Sequence, residues 1–401
     1  MTEHTVSSDR ITGWLYEQAL PLWSHAGIDR DAGGFVETLT LDHRPNLDLP
    51  KRLRVQARQT YVYSHAHLLG WAPPQGGPTA LEAAASGFDF MTRHYWHAKS
   101  GGFIFSATRA GAPGDTRIEA YEQAFALFAC AWYHQASGDP GALDWARRIV
   151  DWLDTNLADP RHGGLRESLA GGLPRRQNPH MHYLEALLAL HRATGERAWL
   201  DRAGRIVALF RQRFFDAGTG TLGEFFTADW QPAAGTEGQI VEPGHHFEWV
   251  WLLHEYGRLS GTDMSADAVA LYRFGETRGR DRDAGAGAGL AFDGVLRSGA
   301  VHDGKKRLWV QTEAIKAQLA RLEHDGDEAA REPLDMLTAA LFDRYLCLGH
   351  GSWFDHLDRS GKPFGDNAPA SSFYHVFLAL TEVLRQRGDL PTLHSEPAAQ
   401  S

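Results

Sequence analysis

The sequence predicts an all-α protein, an (α/α)6 barrel of six inner and six outer helices with short β turns at one end. The first observation behind this prediction is a glycine turn, followed by a short β-prone stretch such as FVETLTL or WFDHLD, that recurs at steps of 60 to 68 residues. The six turns begin at Gly33, Gly101, Gly163, Gly223, Gly289 and Gly351. The second observation is that each turn separates two segments with helical patterns, and a fixed period of paired helices indicates a repeat architecture.

The segments that precede the turns are amphipathic, as helices of an outer layer should be. Within 141–158, apolar residues repeat at helical spacing, and 197–215 and 334–345 show the same pattern. The glycine that follows supplies the positive φ with which such a helix ends.

The segments that follow the turns are apolar nearly all round, which predicts inner helices. They cover 53–71, 118–137, 179–194, 244–259, 306–323 and 370–387. Twelve alternating helices in six similar pairs predict a closed barrel. An open α-solenoid has the same helix pairing and is the alternative. The constant turn and the tryptophans of the inner helices favour closure.

We expect one domain, residues 10–388, because no linker divides the chain, with tails at 1–9 and 390–401. A chain of 401 residues is long enough to bury a large core. Its 40 basic and 50 acidic residues give a net charge of −10, which excludes a general nucleic-acid binder. No apolar run approaches the ~20 residues that a membrane-spanning helix needs, so no membrane partner is expected.

The expected location is the cytoplasm. The first ten residues, MTEHTVSSDR, lack the apolar stretch of a secretory signal. The two cysteines, Cys130 and Cys347, are too few for a disulfide framework. The sequence leaves open whether the protein is a monomer or a homodimer.

One polar or aromatic residue of each inner helix lies at a similar distance from the preceding turn. At offsets of 19 to 25 residues from the turn glycine stand Arg58, Tyr121, His182, His245, Trp309 and His375. We interpret these as six quasi-equivalent positions around one cavity. Arginine, histidines and aromatic residues together predict a pocket for a polar ligand rather than a hydrophobic core.

Two of these histidines have a carboxylate on the same helix face. Glu185 follows His182 by three residues, and Glu248 follows His245 by three residues. Such a pair can fix the tautomer of an imidazole and support proton transfer near neutral pH. The neighbouring His180 and His246 are expected to be structural.

No metal site is predicted. The pairs His180-x-His182 and His245-His246 lack the HExxH or CxxC spacing of a dedicated site. The run Lys305-Lys306-Arg307 is interpreted as a solvated helix start, with an anion site as the alternative. With an acidic chain and no dense basic cluster, a phosphosugar substrate is not favoured.

Segments from all six repeats resemble one family. In chain order they are RVQARQTYVYS, YEQAFALFA, MHYLEALLAL, PGHHFEWVWLL, LWVQTEAIKA and SFYHVFLAL. They are similar to the N-acylglucosamine 2-epimerase superfamily, which includes mannose isomerases, sulfoquinovose isomerases and cellobiose 2-epimerases, over about residues 10–388. The RVQARQ segment is most similar to the mannose isomerase branch. The family fold is an (α/α)6 barrel, in agreement with the repeat count.

The resemblance implies an aldose–ketose isomerase or a sugar 2-epimerase that uses no metal or redox cofactor and takes a monosaccharide. It implies that His245 and His375 are the acid/base pair, one assisting ring opening and the other moving the proton of C2. The residues that it assigns to substrate binding are Arg58, Tyr121, His182, Glu248 and Trp309. Among these, Trp309 would be the apolar platform beneath the sugar.

The chemistry agrees with these residue types. Converting mannose to fructose moves a proton from C2 to C1 through a cis-enediol, which suits a base with a pKa near the working pH. Positive charge placed in advance, as on Arg58, stabilises the enediolate. Epimerisation uses the same intermediate but returns the proton to the other face of C2, so a 2-epimerase is the first alternative.

Two other classes of function remain as alternatives. An (α/α)6 glycoside hydrolase needs two carboxylates beside the scissile bond. Candidates are Glu122, Glu185, Glu248, Glu313 and Asp355. The predicted cavity contains mostly histidine, arginine and aromatic residues, which weighs against hydrolysis. A sugar-binding protein without activity would leave the His–Glu pairs unexplained.

Overall fold

The structure, a computed structural model, describes residues 5–74, 76–283, 285–347 and 349–393. Twelve helices alternate between an outer and an inner layer, which confirms the predicted (α/α)6 barrel. The first outer helix, α1, consists of three contiguous segments, Ser8–Thr12, Gly13–Ala19 and Leu20–His25, the second of them π-helical. The other outer helices are α3 (Ala80–His94), α5 (Pro140–Asn156), α7 (Arg197–Leu209, continued by the π-helical Phe210–Phe214), α9 (Ser265–Arg278) and α11 (Arg331–Arg344).

The inner helices are close to the predicted ranges and buried around most of their circumference. They are α2 (Leu53–Leu68), α4 (Ala120–Ser137), α6 (Asn178–Thr194), α8 (Pro243–Ser260), α10 (Leu308–His324) and α12 (Phe373–Gln386). In α4, for example, twelve of the thirteen positions from 120 to 132 are buried, the exception being Tyr121. The outer helices bury one face only, as their amphipathic pattern predicts. The hydrophobic core therefore consists of the apolar side chains packed between the inner and outer helices.

Short strands connect the layers at the end of the barrel where the inner helices begin. They are β1 (Thr38–Thr40), β2 (Lys51–Arg52), β3 (Ser106–Ala107), β4 (Arg175–Arg176), β5 (Phe215–Asp216), β6 (Thr221–Leu222), β7 (Phe225–Phe226), β8 (Ile240–Val241), β9 (Gly294–Leu296), β10 (Val301–Asp303), β11 (Lys306–Arg307), β12 (His356–Leu357), β13 (Pro363–Phe364) and β14 (Asn367–Pro369). All of their pairings are antiparallel.

The ring of helices is closed. Strand β1 of the first repeat pairs with β14 of the last, with Leu39 opposite Ala368. On the inner layer, the Gln59 side chain of α2 donates a 2.7 Å hydrogen bond to the carbonyl of Ala370, just before α12. These contacts join the ends of the repeat series, so the open solenoid is excluded.

Each glycine turn in the first five repeats is held by a side chain of the following inner helix. The amides of Gln56, Gln123 and Gln311 bond both the N–H and the carbonyl of a turn residue, at 2.7–2.9 Å. His180 and His246 bond only the N–H of the turn residue. Their Nε2 atoms accept from the N–H of Leu165 at 2.8 Å and of Leu222 at 3.0 Å. We call these five residues the turn clamps. The two histidines are structural, as expected.

The fourth turn lies three residues earlier than predicted. Gly220, with φ +70°, takes the place that the sequence analysis gave to Gly223, which has no positive φ. The clamp shows the equivalence, since His246 bonds Leu222, two residues after Gly220, as Gln56 bonds Phe35, two residues after Gly33. The glycine–aromatic pattern pointed to the wrong glycine because two lie close together here.

The histidine clamps should make the fold sensitive to acid. Both are neutral because Nε2 accepts a hydrogen bond, and burial lowers the pKa of His180 to about 3 and of His246 to about 4. The unfolded chain therefore takes up more protons than the folded chain below pH 6.5, and stability falls as the pH decreases from 6.5 towards 4. Replacing both residues by glutamine, the clamp of other repeats, should reduce this dependence by at most about 3 kcal/mol per pH unit, about 1.4 for each proton. Urea unfolding at pH 7 and pH 5 measures it, and an unchanged dependence in the double variant would contradict the assignment.

Parts of the predicted tails pack against the barrel. The carbonyl of Val6, a buried residue, accepts a 2.7 Å hydrogen bond from Arg387, and the Ser8 hydroxyl donates to Asp389 at 2.6 Å. Leu393 also packs against the core. Residues 1–4 and 394–401 lie outside the described residues. Within the described ranges, no helix has the length and apolar character that crossing a membrane requires.

Candidate active site

A cavity of about 420 Å³ opens where the inner helices begin, on the side of the short strands. Its size suits a small-molecule ligand. The structure brings all seven residues that the sequence analysis selected to its wall: Arg58, Tyr121, His182, His245, Glu248, Trp309 and His375. Six helix N-termini converge there, and the positive ends of their dipoles favour negative charge on a ligand.

The six positions of the sequence analysis are not equivalent in the way expected. Counted from the turn clamps, Arg58 and His182 lie two residues after the clamp, and Glu248 rather than His245 has this place on α8. Tyr121 and Trp309 lie two residues before it, and His245 one before it. All reach the cavity because positions within one helical turn can project from the same helix end. The loose offsets found the correct turn of each helix but not the correct register.

His375 is a neutral imidazole with a free nitrogen on the cavity side. Its Nδ1 lies 2.8 Å from Oε1 of Glu313, the residue two after the Gln311 clamp on α10. Burial, together with the nearby charges of Arg58 and Lys316, lowers the pKa of His375 well below its usual value. A neutral ring that donates Nδ1–H to a carboxylate presents a basic Nε2. A ring in this state can act as a general base.

His245, unlike His375, is protonated. Its Nδ1 lies 2.9 Å from Oε2 of Glu224 and 3.9 Å from Oε2 of Glu242. Burial by itself would lower the pKa of His245, but these two carboxylates outweigh it and raise the pKa to about 9. Imidazolium is therefore the form at neutral pH, and it can act as a general acid.

The floor between the two histidines contains a third pair. Nδ1 of His182 lies 3.0 Å from Glu185, whose other oxygen accepts a hydrogen bond from Tyr374. Burial lowers the pKa of His182 to about 4, so the ring is neutral. Burial and the neighbouring Glu313 raise the pKa of Glu248 well above its usual value. A protonated Glu248 can donate to a ligand oxygen, and its Oε1 has no hydrogen-bond partner among the described residues.

Arg58 is held in place without a carboxylate. Its guanidinium donates to the hydroxyl of Tyr121 at 3.0 Å and to the carbonyl of Ser371 at 3.1 Å. It also lies over the ring of Phe125 at 4.3 Å. Among the described contacts no acid neutralises it, and burial keeps it 7% exposed. Its positive charge is therefore available to a ligand in the cavity.

Trp309 forms the apolar part of the wall between the two histidines. Its ring centroid lies 5.2 Å from that of His245 and 5.6 Å from that of His375. Glycine is required opposite it on α8, because a Cβ at Gly244 would lie 2.5 Å from the Trp309 ring. Gly244 is a site residue by virtue of its size, and the sequence analysis missed it.

Four arginines at the mouth of the cavity were also missed: Arg52, Arg54, Arg176 and Arg307. Three of them are the second member of a basic pair that precedes an inner helix in alternate repeats, Lys51-Arg52, Arg175-Arg176 and Lys306-Arg307. The first members are buried and bind an aspartate of the glycine turn. This recurrence was a signal that the sequence analysis did not use.

The interpretation of 305–307 as a solvated helix start is therefore wrong. Lys306 is fully buried, 2.9 Å from Asp281, and Arg307 lines the cavity. The prediction that the chain has no dense basic cluster was also wrong, since these arginines come together from separate repeats. Each of the four has a carboxylate partner, however: Glu37 for Arg52, Glu122 for Arg54, Glu167 for Arg176, and Asp293 with Glu242 for Arg307.

Three groups of side chains have the donor types for a cation. They are His182–Glu185–Glu248, Glu224–Glu242–His245 and Glu248–Glu313–His375. In the last group, the ammonium of Lys316 lies 2.6 Å from Glu313 and already supplies a positive charge. In the second, the protonated His245 does so. Catalysis without a metal stays a prediction.

Dialysis against EDTA is expected to leave activity unchanged, because protein cations neutralise two of these groups. The measurement is the initial rate before and after chelation, with a sample re-supplied with Mn²⁺ or Zn²⁺ as control. Loss on chelation with recovery on adding one of these ions would contradict the prediction and point to the group His182–Glu185–Glu248.

Comparison with known proteins agrees with this geometry. The sequence profile of the N-acylglucosamine 2-epimerase (GlcNAc 2-epimerase) family matches residues 33–379. The chain belongs to this family. A mannose-6-phosphate isomerase of Rhizobium meliloti is 35% identical over 387 residues, which cover 94% of this chain and 97% of the relative. A D-mannose isomerase of Thermobifida fusca is 28% identical, with 81% and 82% covered.

A solved structure extends the comparison to the fold. The cellobiose 2-epimerase of Spirochaeta thermophila superposes with a TM-score of 0.81 at 27% identity, covering 94% of this chain and 96% of that one. The resemblance and the fold predicted from sequence are thus confirmed. So is the prediction of an enzyme of the sugar isomerase and epimerase class. The roles of individual residues are proposals.

Proposed function

We propose that this member of the N-acylglucosamine 2-epimerase family is an aldose–ketose isomerase that interconverts D-mannose and D-fructose through a cis-enediol. The observation that carries the proposal is a pair of histidines in different protonation states on one cavity, His375 neutral and His245 protonated. An isomerase needs one base and one acid acting together on adjacent carbons. The relatives named as mannose and mannose-6-phosphate isomerases support this direction.

The reaction begins with the opening of the sugar ring, which His245 assists by donating its proton to the ring oxygen. The neutral His245 then takes the proton of the C1 hydroxyl, the bond between C1 and the ring oxygen breaks, and the open aldehyde forms. His245 returns to the imidazolium form because Glu224 and Glu242 stabilise it there. The open chain lies against Trp309, whose ring contacts both histidines.

Proton transfer between carbons then uses both side chains. Nε2 of His375 takes the proton of C2 while His245 donates one to O1, which gives the cis-enediol. His375 then returns its proton to C1, and the O2 hydroxyl gives its proton back to His245, which leaves the ketone at C2. Every proton is accounted for, and both histidines end in their starting forms. Developing negative charge on O1 and O2 is stabilised by Arg58 and by the helix N-termini.

The sugar is proposed to be unphosphorylated, although one relative is named for a phosphorylated substrate. Each of the four mouth arginines is bound to a carboxylate, so a phosphate would have to displace an acid to reach it. Arg58, which has no such partner, lies on the cavity wall close to His375 and is needed there. Kinetics with mannose and with mannose 6-phosphate test this point directly.

The deciding experiment is incubation with D-mannose in D2O, followed by NMR of the products. An isomerase gives fructose with deuterium at C1, less than fully when direct transfer competes with exchange with solvent. Clean inversion at C2 to glucose, with little ketose, would replace the isomerase by a 2-epimerase. No label on any carbon and no ketose would contradict both. Turnover of mannose 6-phosphate alone would reassign the substrate.

The setting of the enzyme is also part of the proposal. The free thiols Cys130 and Cys347 suit a reducing cytoplasm, and the net charge of −10 gives no affinity for nucleic acid. The residues that line the cavity come from one chain, and the proposed state is a monomer or a homodimer. Sedimentation of the active enzyme measures the state directly.

A further inference from the structure

A buried lysine lies beneath the cavity and is not used in the reaction steps above. Lys316 follows Glu313 by three residues on α10 and is 1% exposed. Its ammonium lies 2.6 Å from Oε2 of Glu313, whose other oxygen, Oε1, lies 2.8 Å from Nδ1 of His375. The three groups form a line from the barrel interior to the cavity, Lys316–Glu313–His375, which we call the floor triad.

The surroundings of the floor triad are rich in carboxyl groups. Burial by itself would lower the pKa of Lys316, but Glu313, Glu248 and Glu185 together outweigh it and raise that pKa. Three carboxyl groups therefore share one buried ammonium. Of these three carboxyl groups, Glu313 is the one in ion-pair contact with Lys316, so it is the one whose charge the lysine neutralises directly.

The charge of Glu313 decides which nitrogen of His375 is basic. An ionised carboxylate only accepts hydrogen bonds, so it requires the proton of His375 on Nδ1 and leaves Nε2 free. A protonated carboxyl can donate as well as accept, and then either tautomer fits. Burial raises the pKa of the Glu313 carboxyl, and Lys316 opposes this effect. An isolated carboxylate in this dry interior would take up a proton.

We propose that Lys316 is a positioning residue that keeps Glu313 ionised and thereby fixes His375 as the tautomer with a basic Nε2 towards the cavity. Lys316 does not touch the substrate; it acts through Glu313. The inference rests on the proposed function for its kinetic consequence, but the tautomer of His375 is a property of the resting enzyme. A buried ion pair for stability alone would leave that tautomer free of any dependence on Lys316.

The test is Lys316→Met, with two measurements on the purified enzyme. In ¹⁵N-histidine-labelled protein, with His375 assigned by comparison with His375→Asn, the wild type should show a protonated Nδ1 and an unprotonated Nε2. In Lys316→Met both signals should move towards an average of the two tautomers. With mannose, kcat should fall about a hundredfold, the low end of what a general base supplies, while KM changes little.

Two variants separate this role from a structural one. Lys51→Met removes another buried lysine, ion-paired with Asp29 at 3.0 Å, and should lower Tm without changing the His375 signals or kcat. Lys316→Met combined with Glu313→Gln contains neither buried charge, which protects folding, yet it also lacks an ionised acceptor. It should stay as slow as Lys316→Met.

The outcomes separate the two proposals. Unchanged His375 signals in Lys316→Met, or recovery of kcat in the double variant, would overturn the role of Lys316. A wild type that shows the expected signals and their change in Lys316→Met, but does not turn over mannose, would leave the role of Lys316 standing and overturn the proposed substrate instead.

Discussion

His375→Asn should lower kcat for mannose isomerisation by about a thousandfold, because a general base contributes about 10²–10⁴. The asparagine keeps a polar side chain beside Glu313 but has no basic nitrogen. KM should change much less, since the sugar is held mainly by other residues of the wall. Initial rates of fructose formation over a range of mannose concentrations measure both constants.

The matched control is His254→Asn on α8. His254 is similarly buried, at 6% against 5% for His375, but it lies near the opposite end of the inner helices, where His324 stacks on it. Its replacement should affect Tm and leave kcat nearly unchanged. A His375→Asn variant that exchanges the proton of C2 with D2O at the wild-type rate would show that another group is the base.

The second large effect is expected for His245→Asn, which should lower kcat about a hundredfold to a thousandfold by removing the general acid. It should also change the dependence on pH. In the wild type, kcat should fall as the pH rises through about 9, because His245 then loses its proton. The variant should lack this alkaline limb. A limb that persists near pH 9 in the variant would assign it to another group.

The same raised pKa affects stability in a defined direction. In the folded chain His245 keeps its proton up to about pH 9, whereas in the unfolded chain it loses the proton near 6.5. The contribution of His245 is therefore fully present below pH 6.5 and is lost as the pH rises towards 9. His245→Asn should remove that part of the alkaline loss of stability, as measured by urea unfolding at pH 6.5 and pH 9.

Much of the architecture followed from the sequence because the repeat is long and its turns are marked. Six glycine turns and the alternation of amphipathic and apolar helices were sufficient for the barrel. The cavity residues His375 and Arg58 were found because a polar side chain on an otherwise apolar helix is costly to bury unless it has a polar partner or faces a cavity. The fourth turn was misplaced because Gly220 and Gly223 both fit the local pattern, and only the clamp by His246 distinguishes them.

What the sequence did not reveal depends on contacts between repeats. The charge of His245 depends on Glu224, which is 21 residues away, and the tautomer of His375 depends on Glu313, which is 62 residues away. Neither partner lies at a helical spacing from its histidine, and the expected His245–Glu248 pairing is not the one formed. The mouth arginines come from three repeats, so they do not form a cluster in the sequence. Spacing in the sequence identified these histidines. Their protonation states depend on carboxylates from distant parts of the chain, which folding of the barrel brings next to them.

In the first turn of an inner helix, holding the loop and lining the barrel interior are tasks of different residues. In each of the first five repeats, one side chain secures the loop, and the residue two positions later faces the barrel interior as Arg58, Phe125, His182, Glu248 or Glu313. The interior residue takes no part in holding the loop, so it can differ from repeat to repeat while the loop stays in place. The barrel thus offers a series of interchangeable positions around one cavity. A lineage can acquire new chemistry on such a scaffold by changing one side chain at a time, without first rebuilding the fold.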